Sequence, residues 1–231
     1  MSSRLAGLGR VWNRARAAIA AQPRGVRWLL WLAALEAFYL LFQWMDTLAF
    51  TSLRRLGGAR SVLDMFKSAG FLPVWLLGAL ALVLCDWGAV GRAGAAAGRR
   101  VSQAWRRGAV LLGGAATSMV VAEVLKLVVR RERPQAWLDV APVFRDWSGA
   151  WWQSNDLGMP SSHAATAFGA AFALSRMFPA ATPAWLAIAV GCALSRVVEQ
   201  AHTLTDVYAG GVCAWLVVAA LWRLFPPRGR D

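Results

Sequence analysis

The chain is poor in the residues from which metal and disulfide sites are built. It has two histidines, three cysteines and 12 acidic residues in 231. Two histidines without an acidic cluster make a poor dinuclear metal centre, so neither a metal nor another cofactor is expected. Cys85, Cys192 and Cys213 are odd in number, which excludes a complete disulfide framework, and their spacing fits no metal or redox motif. Each falls in an apolar stretch and reads as a small buried hydrophobe. Charge is scarce too. Asp, Glu, Lys and Arg make up 16% of the chain against 58% hydrophobic residues, too apolar a balance for an ordinary soluble domain. The chain has no solenoid repeat and no low-complexity linker. The first 27 residues hold six arginines but no apolar core of signal-peptide type.

What is present is membrane-like. Six apolar stretches run at about 28–45, 71–88, 108–129, 161–178, 183–198 and 204–224. Several approach the ~20 residues that cross a hydrocarbon core, and the short ones are tolerable where helices tilt and flanking Arg and Trp snorkel. Backbone in lipid must satisfy its own hydrogen bonds, so the stretches are expected to be helices. The expected fold is an all-α, six-helix transmembrane bundle spanning residues 28–225. Gly113-Gly114, Gly169 and Gly210-Gly211 fit close helix packing. A soluble helical bundle with a very apolar core is the alternative.

Net charge is +13. In a soluble protein that excess would suggest nucleic acid, but here the basic residues flank apolar runs and suit anionic lipid headgroups, so no nucleic-acid partner is expected. In residues 1–27, Leu8, Val11, Trp12 and Ile19 would share one helix face between arginines, as in an interfacial amphipathic helix. A frayed basic tail is the plainer reading. With six spans both termini share a side. The N-terminal arginines, the 92–107 connector, Arg176 and the C-terminal arginines make that side the more basic, hence cytoplasmic. Trp137, Trp147, Trp151 and Trp152, between the third and fourth stretches, are expected at headgroup level rather than along an access path for a lipid tail.

Three polar clusters sit at span ends on the opposite side. Lys126 closes the third stretch and Arg133-Pro134 follows, with Pro134 placing Arg133 on a loop just past the helix, able to curl back. Pro160-Ser161-Ser162-His163 reads as the start of the fourth helix, where free backbone N–H groups and the Ser161 hydroxyl suit a phosphate oxygen. Ser195-Arg196 precedes His202, and Asp206 follows four residues later. On a helix His202 and Asp206 would share a face, letting the carboxylate fix the imidazole tautomer and leave the other nitrogen nucleophilic. Arg196 adds a planar fork for phosphate oxygens. Each cluster alone has a plainer reading: snorkelling cations beside Arg130 and Arg131, an interfacial His163, an N-cap Asp206. Together, at the ends of separate spans on one side, they point to a phosphate-ester site.

Lys126-x6-Arg133-Pro134, Pro160-Ser161-Ser162-His163 and Ser195-Arg196-x5-His202-x3-Asp206 resemble the three signature motifs of the type 2 phosphatidic acid phosphatase (PAP2) superfamily, in order and in spacing. One departure is Ser162, where the second motif usually has Gly; the backbone N–H survives and the freedom of Gly is lost. The resemblance implies that His202 attacks phosphorus to form a phosphohistidine, that Asp206 orients it, and that His163 protonates the leaving oxygen before water hydrolyses the intermediate. It further implies that Lys126, Arg133, Ser161, Arg196 and the amides near Ser162 hold the phosphoryl oxygens without a metal. The expected partner is a lipid phosphate or pyrophosphate within a membrane: phosphatidic acid, phosphatidylglycerol phosphate, a prenyl phosphate or pyrophosphate, or a lipid A phosphate. A bacterial inner membrane with the site facing the periplasm is the expected location. A phosphotransferase, or a non-catalytic lipid-binding or transport protein, could share the scaffold. Oligomeric state is left open by the sequence.

Overall fold

The computed structural model describes residues 17–53, 60–90, 97–134, 142–148 and 151–224, with side chains at 60–61, 86–90 and 97–104 left out. Most of the N-terminal segment, Trp137 and the residues after Leu224 lie outside the described set; residues 17–20 are helical. Seven helices follow: α1 Arg24–Leu53, α2 Arg60–Ser68, α3 Leu72–Val90, α4 Ala97–Val129, α5 Ser162–Met177, α6 Thr182–Val198 and α7 Leu204–Leu224, with a 3-10 turn Pro179–Ala181 before α6. The described residues contain no named strand, only two isolated bridges, Arg131 with Phe144 and Glu132 with Leu157.

Each of the six apolar stretches is a helix, but helix ends and membrane spans do not coincide. Among the described residues four helices are long and apolar enough to cross a membrane: α1, α7, the 105–129 part of α4, and α6 with its 3-10 turn. A fifth span arises if α2 and α3, which meet at a 67° bend, count as one broken crossing. At 16 residues α5 is about 24 Å long, short of a ~30 Å hydrocarbon core. It tolerates this because it lies among protein rather than in lipid. Ala164, Ala165, Thr166, Ala167, Gly169, Ala170, Ala171, Ala173 and Leu174 are all buried along it. Between the first two apolar stretches lie the end of α1 and all of α2, and the basic 92–107 connector is helical from Ala97. Arginine is a good helix former, so a helix need not stop where its apolar window stops.

The chain divides into two units, one ending at Leu41 and one beginning at Phe42. In the first, Trp28, Leu29, Leu32 and Phe38 are exposed, as expected of a lipid-facing helix. In the second, α5 is central and packs on α4, α6 and α7, while α3 covers α4 and α2 covers α6. Small residues set these approaches. A methyl added at Gly114 would stand 3.0 Å from the Gly169 carbonyl oxygen, and one at Gly210 would stand 2.6 Å from that of Ser161. Of the cysteines, Cys192 and Cys213 are buried as expected, whereas Cys85 is exposed on the outer face of α3.

Candidate active site

Four helix ends meet at one end of the larger unit. α4 finishes at Val129, and Arg130 takes the left-handed conformation (φ 56°) common where helices stop, its N–H bonded to the Lys126 carbonyl at 2.8 Å. The chain then runs through Arg131–Arg133, clasped on both sides by the following loop. Glu132 N–H donates to Val143 O (2.8 Å), Arg133 N–H to Asp156 O (2.7 Å), and Gly158 N–H to Arg131 O (2.7 Å). Arg133 is therefore on a loop held against the helix end, as Pro134 predicts, and its Nε lies 3.4 Å from Leu157 O.

The second cluster begins α5 as expected. Ser161 is the N-cap, extended at φ −71° and ψ 116°, and its Oγ accepts from Ala164 N–H at 3.5 Å. Its own N–H donates to the Asp206 carbonyl at 3.0 Å, tying α5 to α7. Lys126, 3% exposed, donates to Ser162 Oγ at 3.1 Å, tying α5 to α4. His163 follows in the first turn. Its ring lies so close over Gly70, in the α2–α3 turn, that a Cβ there would be 2.7 Å from His163 Cδ2, and Phe71 meets it edge-on with centroids 4.9 Å apart.

The third cluster departs from its expected geometry. His202 is not on a helix. It lies in the turn between α6 and α7, and Thr203 caps α7. Thr203 N–H donates to Asp206 Oδ2 (3.0 Å) and Asp206 N–H to Thr203 Oγ1 (3.3 Å). This reciprocal capping box starts the helix after His202, so His202 meets Asp206 from the preceding turn rather than from one helical face. Nδ1 of His202 stands 3.5 Å from Asp206 Oδ2, longer than a hydrogen bond, in a site where the two side chains are 1% and 0% exposed. Burial pushes the His202 pKa below the ordinary histidine value; Asp206 opposes that shift, and the charges of Arg133 and Arg196 add to it. Burial beside Arg133 and Arg196 thus favours the neutral form of the His202 imidazole.

Arg196 ends α6, paired through Nη1 with Glu199 Oε2. Its Nε is buried with no hydrogen-bond partner among the described residues, as is His202 Nδ1, while Asp206 Oδ1 has only an ion pair with Arg131 at 3.4 Å. Unsatisfied buried polar groups gathered at one place mark where a polar ligand is received. The structure thus brings Lys126, Arg133, Ser161, Ser162, His163, Arg196, His202 and Asp206 to one end of the bundle, with two imidazoles facing a nest of cations and a helix N-terminus. Such a place can hold a phosphoryl group and present it to a neutral imidazole.

Other residues escaped the sequence reading. Arg130 and Arg131 are buried, 2% and 3% exposed. Arg130 donates to the carbonyls of Arg145 and Trp151 and stacks over Trp147 at 4.7 Å. Glu123 accepts from Lys126 at 2.7 Å, and Glu199 accepts from Lys67 at 3.0 Å as well as pairing with Arg196. The signal for Glu123 and Glu199 was available, since each lies three residues from its cation on a helix. Trp147, Trp151 and Trp152 are exposed. Among the described residues no group of three or more His, Cys, Asp or Glu is arranged to hold a metal.

A search of curated proteins gave no match. Among solved structures the chain resembles the crystal structure of the first transmembrane PAP2 type phosphatidylglycerolphosphate phosphatase from Bacillus subtilis. The TM-score is 0.52 at 20% identity, over 86% of this chain and 98% of that one, a likeness of fold. The family model of the PAP2 superfamily matches residues 107–230, which takes in all three polar clusters. This all-α integral membrane protein belongs to the PAP2 superfamily.

Proposed function

We propose that the protein is a lipid phosphatase that releases phosphate from a phosphomonoester or pyrophosphate on a membrane lipid. The reading rests above all on one observation: a buried His202 set against Asp206, with Arg133 and Arg196 beside it and Lys126 near His163, the cations contributed by separate segments. In the first step a His202 ring nitrogen attacks phosphorus and the bond from phosphorus to the lipid oxygen breaks. His163, at the start of α5, gives that oxygen its proton. In the second step water attacks the phosphohistidine, His163 takes the proton back from the water, and inorganic phosphate leaves. Lys126, Arg133, Arg196, the Ser161 hydroxyl and the amides near Ser162 bear the charge that builds on the phosphoryl oxygens. Lysine and arginine here do what a divalent cation does in other phosphoryl-transfer sites, so the reaction needs no metal.

The setting supports a lipid substrate, because the site lies at helix ends of a membrane bundle, where lipid headgroups are expected, beside the exposed Trp147, Trp151 and Trp152. Phosphatidic acid, phosphatidylglycerol phosphate, prenyl phosphates and pyrophosphates, and lipid A phosphates fit this description. Arg107 stacks over Phe178 and Arg176 over Trp222, at the helix ends remote from His202. Basic ends away from the site support cytoplasmic termini and a site on the outer face of a bacterial inner membrane. Residues 28–225 make up the proposed phosphatase domain. The test is phosphate release by purified protein in detergent on that panel, beside His202→Ala. Release from one or more lipids, lost in the variant, is expected. No release from any overturns the phosphatase reading and directs the next assay to transfer onto an acceptor.

A further inference from the structure

An acidic residue inside a membrane-spanning helix is costly and calls for a partner. Asp46 lies on α1, 3% exposed, far in sequence from the polar clusters. Its carboxylate is fully engaged. Oδ1 accepts from Thr205 N–H at 3.0 Å and Oδ2 from Thr205 Oγ1–H at 2.6 Å. Arg131 completes the group: Nη2 stands 3.6 Å from Asp46 Oδ2, Nη1 is 2.5 Å from Thr205 Oγ1, and the same Nη1 is 3.4 Å from Asp206 Oδ1. All four side chains are buried. Arg131 therefore sits between two carboxylates, one on the first span and one beside the nucleophile.

We infer that Arg131 and Asp46 are positioning residues for the nucleophile, forming a buried chain from Asp46 through Arg131 to Asp206 and His202. The inference rests on the phosphatase reading only for its link to turnover. Each oxygen of Asp206 has a separate holder. Thr203 N–H hydrogen-bonds Oδ2, the oxygen facing His202, and Arg131 stands against Oδ1 as an ion pair at 3.4 Å. Together the hydrogen bond and the ion pair bias the carboxylate toward the orientation that faces the imidazole. Asp46 in turn fixes the planar guanidinium and offsets its charge, so that Arg131 holds Asp206 without cancelling its pull on the imidazolium that forms during attack. Lysine, a point donor, cannot span both carboxylates in this way. Arg131 is separate from the phosphate-holding set, since its donors are directed to Thr205, Asp206 and Asp46.

The two charges should act on His202 in opposite senses. The groups facing His202 are Asp206 from α7, Arg196 from α6, Arg133 from the loop after α4, and His163 from α5. Behind Asp206 stand Arg131 and Asp46. Asp46→Asn is isosteric and removes a negative charge, leaving Arg131 less balanced. Arg131→Gln removes the positive charge. The chain has only two histidines, so ring-labelled histidine in detergent gives two NMR signals, assigned with His163→Gln. The expected result is that His202 titrates at lower pH in Asp46→Asn and at higher pH in Arg131→Gln. Turnover should fall in Arg131→Gln by about 10²-fold in kcat, since a misplaced catalytic group costs about that much, while inhibition by inorganic phosphate stays near wild type. Arg131→Lys should recover only part of the rate. Opposite displacements support the chain whether or not a lipid substrate has been found, so failure of the phosphatase reading is seen separately, as absent phosphate release by wild type. No displacement in either variant, or displacement in the same direction in both, overturns the inference. If Arg131→Gln does not fold, Asp46→Asn decides alone: an unmoved or upward His202 titration overturns it.

Discussion

Gly210→Ala should injure both stability and turnover, and the structure gives the size of the injury. Gly210 lies one turn beyond Asp206 on α7, against the first residues of α5. A Cβ there would stand 2.6 Å from the Ser161 carbonyl oxygen, 3.2 Å from Ala164 Cβ and 3.2 Å from Ala165 N. Carbon and oxygen rest in contact at roughly 3.3 Å or more, so α5 and α7 must part by about 0.7 Å at this point. The nearest casualty is the 3.0 Å hydrogen bond from Ser161 N–H to Asp206 O, which couples the cap of α5 to the residue facing His202. Overpacking of this kind costs about 1–3 kcal/mol, offset by up to about 1 kcal/mol for alanine in a helix. The rate should suffer more than the fold, by up to about 10²-fold, because the shift separates His163 on α5 from Asp206 on α7. Gly211→Ala is the matched control, its Cβ meeting the Phe168 ring at an ordinary 3.4 Å. The assay is thermal unfolding and initial phosphate release in the same detergent for both variants. Should Gly210→Ala turn over within about twofold of Gly211→Ala, the close approach of α5 and α7 does not position the site.

Three further outcomes follow from the same site. Burial depresses the His202 pKa, so its neutral, nucleophilic form persists to lower pH than for a free histidine. Corrected for the substrate's own ionisation, the acid limb of kcat/KM set by His202 should lie below about pH 6.5, while loss of the His163 proton sets the separate fall toward high pH. Because the unfolded chain takes up this proton at higher pH than the folded one, the associated stability is complete above about pH 6.5 and is lost on acidification. An acid limb centred at or above pH 6.5 contradicts this. In the proposed mechanism cations of the chain itself hold the phosphate, so turnover should survive excess EDTA, and strict Mg²⁺ dependence would remove that mechanism. In a variant with Cys85 replaced, Trp151→Cys should react with an impermeant thiol reagent from outside intact cells; Cys192 and Cys213 are buried and stay silent. Reaction only from the cytoplasmic side reverses the topology.

The site was more legible in the sequence than the packing around it. The three motifs named eight residues that the fold brings to one end, because each motif is fixed locally by a helix start or stop: Pro134 after α4, Ser161 before α5, Arg196 at the end of α6. His202 was placed on a helix because its spacing from Asp206 suits one. The competing signal, Thr203-x-x-Asp206, was equally visible and prevailed, since a capping box satisfies two end groups of α7 at once. Asp46 and Arg131 were out of reach for another reason. Their partners lie far along the chain, and nothing local in an apolar run announces that one acid will be met by an arginine from a distant loop. The short α5 was counted as a span on hydropathy, which cannot distinguish apolar residues facing lipid from alanines packed among neighbouring helices. Glycine doublets were read as equal, although in each pair one glycine meets a carbonyl and the other does not.

The central claim is that His202 carries the phosphoryl group. Rapid mixing with a phosphorus-labelled lipid substrate, quenched in alkaline detergent within a turnover and followed by peptide mapping, tests it directly. The account predicts label on His202, stable to base and released by acid as expected of a phosphorus–nitrogen bond, and no label on the His202→Ala protein. Full turnover with label on no residue, or on a residue other than His202, would contradict it.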